Sequence, residues 1–326
     1  MTDETSGNAP PRTARLASST PELDAAEVEW WGRFSGVSER VWTLDPPVAS
    51  ALRSRYLRRA ARYLVESAGR NGRVLDLGCG SGVTSRFLAS FGVQVTGIDI
   101  SETQIAIARD LAHTHPHSAR MAFQVADVRE LRSGGGRFHG IVGHAFLHHL
   151  ARDELEETLA MASTLLSSTG RAWFYEPVFF SDGPLSASGA IAALTQRALR
   201  AMQFAARWLN LLNEETVALL DTFEAEAAAH GYFLSPKEVP FTGAEFREVL
   251  ARHFSIDRIR WENTASYQLA ALVALLKSPR LRRLGALAVK PATLLDEWIG
   301  TAGSPDTYRG LDGYGFASSF CRAQTA

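Results

Sequence analysis

Between Arg73 and Pro177, short apolar runs alternate with segments of helical period. VLDLG (74–78), VQVTGIDI (93–100), FQVADV (123–128), GIVGHAF (140–146) and RAWFYEP (171–177) are too short for typical globular helices. They are rich in β-branched and aromatic residues, so they read as buried strands. Val83, Phe87, Leu88 and Phe91 share one helical face, which Gly92 ends. Ser101 reads as an N-cap with Gln104 as its capping-box partner, and Ile105, Ala108 and Leu111 continue that helix. Leu155, Leu159, Ala162 and Leu166 mark a third helix, with Asp153, Glu154, Glu156 and Glu157 in a first turn that favours acids and Gly170 as its stop. Alternation at this spacing predicts right-handed crossovers and a doubly wound, mostly parallel α/β sheet of seven strands. Ligands of such sheets bind beyond the carboxyl ends of the strands, here after Leu77, Ile98, Ala126, Gly143 and Tyr175.

The flanks are different. Residues 1–22 are rich in Thr, Ser, Pro and Ala and read as a disordered tail. Residues 23–72 form a helical lid: Trp30, Trp31, Phe34, Val41 and Trp42 are too many aromatics for a solvated tail and cover an apolar surface or the ligand. Further on, Leu52, Tyr56, Tyr63 and Leu64 share a helix face, while Arg53, Arg55, Arg58, Arg59 and Arg62 fall mostly off it, as a wet face would. The sheet core takes in 73–183, 231–266 and 313–326, with a sixth strand at Ser255–Trp261 and a seventh at 314–323. Segments 184–230 and 267–312 read as helical caps over the site, the second carrying Lys277, Arg280, Arg282, Arg283 and Lys290 among leucines.

Composition narrows the classes. The 326 residues hold 34 Lys+Arg against 35 Asp+Glu, a balance that argues against a nucleic-acid partner. With two cysteines, Cys79 and Cys321, disulfide scaffolds and multi-cysteine zinc sites are excluded, and no metal is expected. The polar N-terminus does not read as a signal peptide, and no apolar run nears the roughly 20 residues of a membrane span, so a cytoplasmic protein is expected. The large apolar insertions are compatible with a homodimer.

The strongest local signal is Asp76-Leu77-Gly78-Cys79-Gly80-Ser81-Gly82, where a strand runs through a glycine-rich turn into a helix. Three alternating glycines let backbone approach a ligand, and the helix start favours negative charge. Dinucleotide binders need G-x-G-x-x-G; counted from Gly78, the last position is Val83, which speaks against a nicotinamide oxidoreductase.

D-L-G-C-G-S-G resembles the first motif of class I S-adenosylmethionine-dependent methyltransferases, and the likeness continues in order across residues 73–177. LHHL (147–150) and YEP (175–177) resemble the subgroup of quinone-biosynthesis and secondary-metabolite enzymes. The resemblance implies a Rossmann-like fold and S-adenosylmethionine as cofactor. It places Asp76, Gly78, Cys79, Gly80 and Gly82 at the cofactor, Asp99 on the ribose hydroxyls, Ile100 on the adenine face, Asp127 and the Val128 backbone at the adenine amino group, and His144 by the methionine part. Gln104 is a cap or a further cofactor contact. A carboxylate suits the ribose role because it is acceptor-only.

Methyl transfer from a sulfonium is an in-line displacement that demands positioning first. A base is needed where the acceptor must lose a proton, and Glu176, His144, His148 and the neighbouring His149 are the candidates. Glu176 would alternatively stabilise positive charge, with Tyr175, Phe179 and Phe180 assisting. The dry, aromatic insertions suit a mid-sized apolar or aromatic small molecule accepting on O, N or C, as in secondary metabolism; a phosphate-bearing or isoprenoid acceptor is the alternative. A catalytically silent binding module is disfavoured by the intact acids at 76, 99 and 127.

Overall fold

The computed structural model describes residues 15–34, 46–131, 138–179, 187–262, 265–302 and 314–324. Alternate residues of the central strands face opposite cores, as the period of two requires. In β1 (Arg73–Leu77), Val74 packs with Leu57 and Leu64 of α2 (Pro46–Ala68) and Leu88 of α3 (Val83–Ala89). Leu75 and Leu77 join the other core, with Ile141, Leu155, Leu159 and Phe174. Both faces are therefore covered, which explains why these strands read as continuous apolar runs.

β1 pairs in parallel with β2 (Gln94–Asp99) and β4 (Phe138–His144); β3 (Met121–Val125) adds beyond β2 and β5 (Leu166–Phe179) beyond β4. β8 (Tyr314–Ala323) inserts antiparallel between β5 and β7 (Phe254–Glu262), giving the order β3-β2-β1-β4-β5-β8-β7. The expected seven strands make up this path. An eighth, β6 (Phe241–Thr242), pairs with the end of β5; its two residues are too few for any periodicity to announce. Strand order reverses between β1 and β4, and the crevice opens there.

The helices that close the crossovers are α3, α4 (Glu102–His113), α5 (Arg152–Leu165) and α8 (Gly243–His253). α5 stops at Leu165, short of Gly170, because Leu166 already pairs with Phe138 of β4. α1 (Pro21–Arg33) and α9 (Ala265–Ala274) reach the cavity at the carboxyl edge, and α6 (Ala187–Trp208), α7 (Glu214–Ala229) and α10 (Pro279–Ala302) pack around them. Trp30 and Phe34 pack with Leu212, Phe223, Leu272 and Leu275, while Val48 and Leu52 meet Ala270, Val273 and Val289.

Of the residues expected to form a tail, 1–22, those from Arg15 onward are described and held in place. Thr20 caps α1, accepting from Leu23 N–H, and Arg15 is buried, donating to the carbonyls of Leu150 (2.8 Å) and Val239 (2.9 Å) and pairing with Glu245. A polar composition does not show that one guanidinium can satisfy three buried partners at once. Residues 1–14, Val41, Trp42, Gly134–Gly136, Phe180 and 303–312 lie outside the described residues.

The arginine run is only partly wet. Arg55 and Arg59 tie α2 to Glu297 of α10, Arg59 also holds Glu262 of β7 at 2.7 Å, and Arg53 faces the crevice. On α10, Arg280, Arg283 and Lys290 are exposed beside the equally exposed Leu284 and Leu287, whereas Arg282 turns back to the carbonyl of Leu276. Among the described residues no helix is long and apolar enough to cross a membrane.

Candidate active site

A cavity of about 360 Å³ opens at the carboxyl ends of β1, β2, β4 and β5. The glycine turn after β1 forms its floor, with positive φ at Gly78 (59°), Gly80 (50°) and Gly82 (76°). A side chain at Gly78 would place its Cβ 2.1 Å from the Phe146 ring. At Gly80 the nearest atom is Gln104 Oε1 at 3.8 Å, so here the backbone is left bare toward the cavity.

Asp99 closes β2 and holds this turn. Gly80 N–H donates to one carboxylate oxygen and Ser101 N–H to the other, each at 2.9 Å. Burial nonetheless raises its pKa. Because Ser101 N–H is satisfied by Asp99, Gln104 does not close the expected capping box: its backbone bonds Ser101 Oγ, while its side chain faces the turn and the cavity. Asp76 sits deeper, accepting from Ser85 Oγ at 2.6 Å; burial, with the Asp99 charge adding to it, raises its pKa to about 7. Cys79 is a small buried residue, and burial pushes its thiol pKa far up, so it is no thiolate nucleophile.

Along the next edge Ile100 is 45% exposed and offers an apolar face beside Val128. Asp127 caps the short turn Val128–Glu130, accepting from Arg129 N–H at 2.8 Å. Burial works to raise the Asp127 pKa, but the guanidinium of Arg129 outweighs it and holds the carboxylate charged. Arg129 also reaches Asp24 of α1 and Glu154 of α5.

His144, at the end of β4, lies between Thr84 Oγ1 (2.6 Å) and Tyr56 OH (3.3 Å), walled by Trp173 and Tyr175. Burial, reinforced by the Arg53 charge, lowers its pKa to about 3. Such an imidazole is neutral and a weak base near neutrality, and its hydrogen-bond partners Thr84 and Tyr56 suit it to a positioning role. Glu176 departs further from expectation. Its carboxylate does not line the cavity, because all its capacity holds the Leu147–His149 turn: it accepts from the N–H groups of Phe146 (3.1 Å), Leu147 (2.9 Å) and His148 (3.3 Å), and meets His148 Nδ1 at 2.7 Å. Burial raises its pKa to about 7. A residue that is 0% exposed and so engaged does not reach the cavity with its own oxygens.

The turn thus held presents His148 and His149 to the cavity. Burial keeps His148 well below the usual histidine range, so it is neutral and a weak base. His149 is the opposite case: burial works against its charge, but Glu27 of α1, 2.9 Å from Nδ1, prevails and raises its pKa. Glu238 completes the wall, its pKa raised to about 7 by burial.

Of the sequence candidates, the structure gathers Asp76, Gly78, Cys79, Gly80, Asp99, Ile100, Gln104, Asp127, Val128, His144 and His148 around one cavity. Gly82, at the N-cap of α3, backs the turn instead, with Phe123 against it. The sequence did not announce Tyr56, Thr84, Lys237, Glu238 or Glu27, and only the last three are acids or bases of unpatterned, charge-mixed stretches. Trp30 and Trp31 take separate tasks, one in the cap core and the other on the cavity wall.

Residues 74–170 match a family model described as a methyltransferase domain. This domain belongs to the class I S-adenosylmethionine-dependent methyltransferases. A stretch of 174 residues, 52% of the chain, is 32% identical to a ubiquinone biosynthesis O-methyltransferase of Bordetella parapertussis, and covers 66% of that protein. The chain spans about half the length of the next curated relatives it matches. Two solved structures share the fold at a TM-score of 0.55 and 16% identity: the [4+2]-cyclase SpnF, over 96% of this chain and 100% of its own, and the cyclopropane synthase MmaA2 of Mycobacterium tuberculosis, over 93% and 99%. One is named a cyclase and the other a cyclopropane synthase, so the shared fold alone does not choose a reaction.

Proposed function

We propose that this chain transfers the methyl group of S-adenosylmethionine to a mid-sized aromatic or apolar small molecule. The observation that carries this reading is the convergence of the bare Gly80 backbone, Asp99, Ile100 and Asp127 on one cavity, which His148 and His149 also line. The residues fit the cofactor: Asp99 spends one hydrogen bond per oxygen on the turn and keeps further lone pairs for hydroxyl donors, and Ile100 leaves a flat apolar face exposed. When bound, S-adenosylmethionine supplies a methyl already activated on a sulfonium. The chain's own residues then bind and orient.

Tyr56 lies on Tyr175 with centroids 4.6 Å apart and 9° between planes, and Tyr175 on Phe316 at 5.0 Å and 11°. This stack, with Tyr267 and Trp31, offers a planar acceptor apolar walls that exclude water. An oxygen acceptor is favoured, since the matched curated relative is named an O-methyltransferase. A phosphate-bearing acceptor would have to be met by Arg53, because Arg129 and Lys237 are already ion-paired with Asp24, Asp127 and Glu154.

Calorimetry with S-adenosylhomocysteine, followed by transfer of labelled methyl to a panel of phenols and hydroxylated quinones, tests the reading. Saturable 1:1 binding and label in product are expected. Binding of NAD(P) with none of S-adenosylhomocysteine would overturn it.

A further inference from the structure

His148, His149 and Glu238 line the same cavity as the proposed cofactor residues, and none of the three has a role in holding the cofactor in the function proposed above. Each offers one ligating atom, and the three atoms lie within 4.8 Å of one another. His148 and Glu238 are 4% and 5% exposed, and all three residues line the cavity.

The surroundings are those of a metal site. His148 Nδ1 meets Glu176 at 2.7 Å and His149 Nδ1 meets Glu27 at 2.9 Å, so both imidazoles keep Nε2 for an ion. Metal-binding histidines are typically held in this way, a carboxylate behind the ring fixing tautomer and orientation. The two outer carboxylates are themselves fixed: Glu176 by the N–H groups of Phe146 and Leu147, Glu27 by Ser235 Oγ, Lys237 N–H and Trp31 Nε1. Glu238 has one polar contact among the described residues, His148 Nε2 at 3.5 Å, which is too long for a hydrogen bond. Three buried carboxylates thus surround two imidazoles. The nearby cations are committed elsewhere, Lys237 to Asp24 and Glu154 and Arg15 to Glu245.

We propose that His148 Nε2, His149 Nε2 and the Glu238 carboxylate bind a divalent transition-metal ion of the Zn2+ type, leaving a coordination position open to an oxygen in the cavity. Two histidines and one carboxylate suit Zn2+ and its neighbours, and three protein ligands leave the fourth tetrahedral position free. Bonds of about 2.1 Å hold tetrahedral ligands roughly 3.5 Å apart. His148 Nε2 and Glu238 are at that spacing already, and the ion would draw the ring of His149 in to join them. A phenol or other hydroxyl coordinated in the open position gives up its proton to solvent more readily and is held in place. The metal site stands on this geometry; its use by a methyl acceptor rests on the function proposed above.

The protein, stripped with a chelator, is titrated with Zn2+ by calorimetry and with Co2+ by visible absorption. We expect one ion per chain and the d–d bands of four- or five-coordinate Co2+. Glu238→Gln and His149→Ala should weaken binding at least about 100-fold, and Glu27→Gln, behind the ring, about 10-fold or more. Glu238→Gln should keep the far-UV circular dichroism and a single cooperative unfolding transition of wild type, which shows that the variant folds. Wild-type protein that binds S-adenosylhomocysteine yet takes up no Co2+ at sub-millimolar concentration would overturn the metal site and leave the methyltransferase reading. Metal affinity unchanged in both first-named variants would overturn it as well. Metal uptake without any binding of S-adenosylhomocysteine would sink the function and spare the site.

Discussion

Asp99 meets the N–H groups of Gly80 and Ser101 with one oxygen each, so a single carboxylate sets both the turn and the ribose end of the proposed cofactor site. Asp99→Ala should lower S-adenosylhomocysteine affinity more than tenfold, a loss of at least about 1.4 kcal/mol, read by calorimetry. Unchanged affinity would remove the residue from the site. Gly78 is equally determined: with φ at 59° and the Phe146 ring in the way, Gly78→Ala must displace the Phe146–His149 segment. A spectroscopic comparison of folded wild type and variant should show reduced cofactor binding together with altered His148 and His149 imidazole resonances. These residues were legible because only certain residue types fit such geometry. Glu238 was not, since one acid in a loop acquires meaning only when two histidines from elsewhere in the chain stand beside it.

At the scale of elements, the Leu147–His149 turn depends on Glu176. A glutamine there keeps one acceptor oxygen and turns an NH2 donor toward backbone donors. Glu176→Gln should therefore cost about 1–3 kcal/mol in denaturant unfolding and lower turnover through a displaced turn. Wild-type stability in that variant would refute this positioning role. α8 presents a milder case. Thr242 caps it through Glu245 N–H at 3.1 Å, and Glu245 returns a bond to Thr242 N–H, so Phe246 and Leu250 enter the core at a fixed angle. Thr242→Ala should cost about 1 kcal/mol by the same measurement. The run of strands and helices across 73–177 was readable because periodicity follows directly from burial. Residues 15–22 differ from the expected tail because Arg15 is ordered by partners far along the chain and Thr20 by the helix that it caps.

Across the whole molecule, buried acids make stability depend on pH in an unusual direction. Asp76 has a folded pKa of about 7, against about 3.9 in an unfolded chain. The folded state thus holds this proton more tightly, and between these two values the contribution of Asp76 to stability falls as pH rises. Asp76→Asn resembles the protonated form at every pH. The melting temperature of that variant relative to wild type should therefore climb from pH 4 to pH 8. Parallel curves would mean that Asp76 is not buried as described.

The sequence by itself determined the alternating core, the glycine turn and the acids that end β2 and follow β3, because each is a local demand of backbone geometry or of periodic burial. The tertiary structure alone decided which side chains share the cavity. It withdrew Glu176 behind a turn, neutralised His144 between two hydroxyls, and brought Glu27 and Glu238 to a pair of histidines. Burial and pairing are properties of the assembled fold, and they, rather than residue type, set what an ionisable group can do.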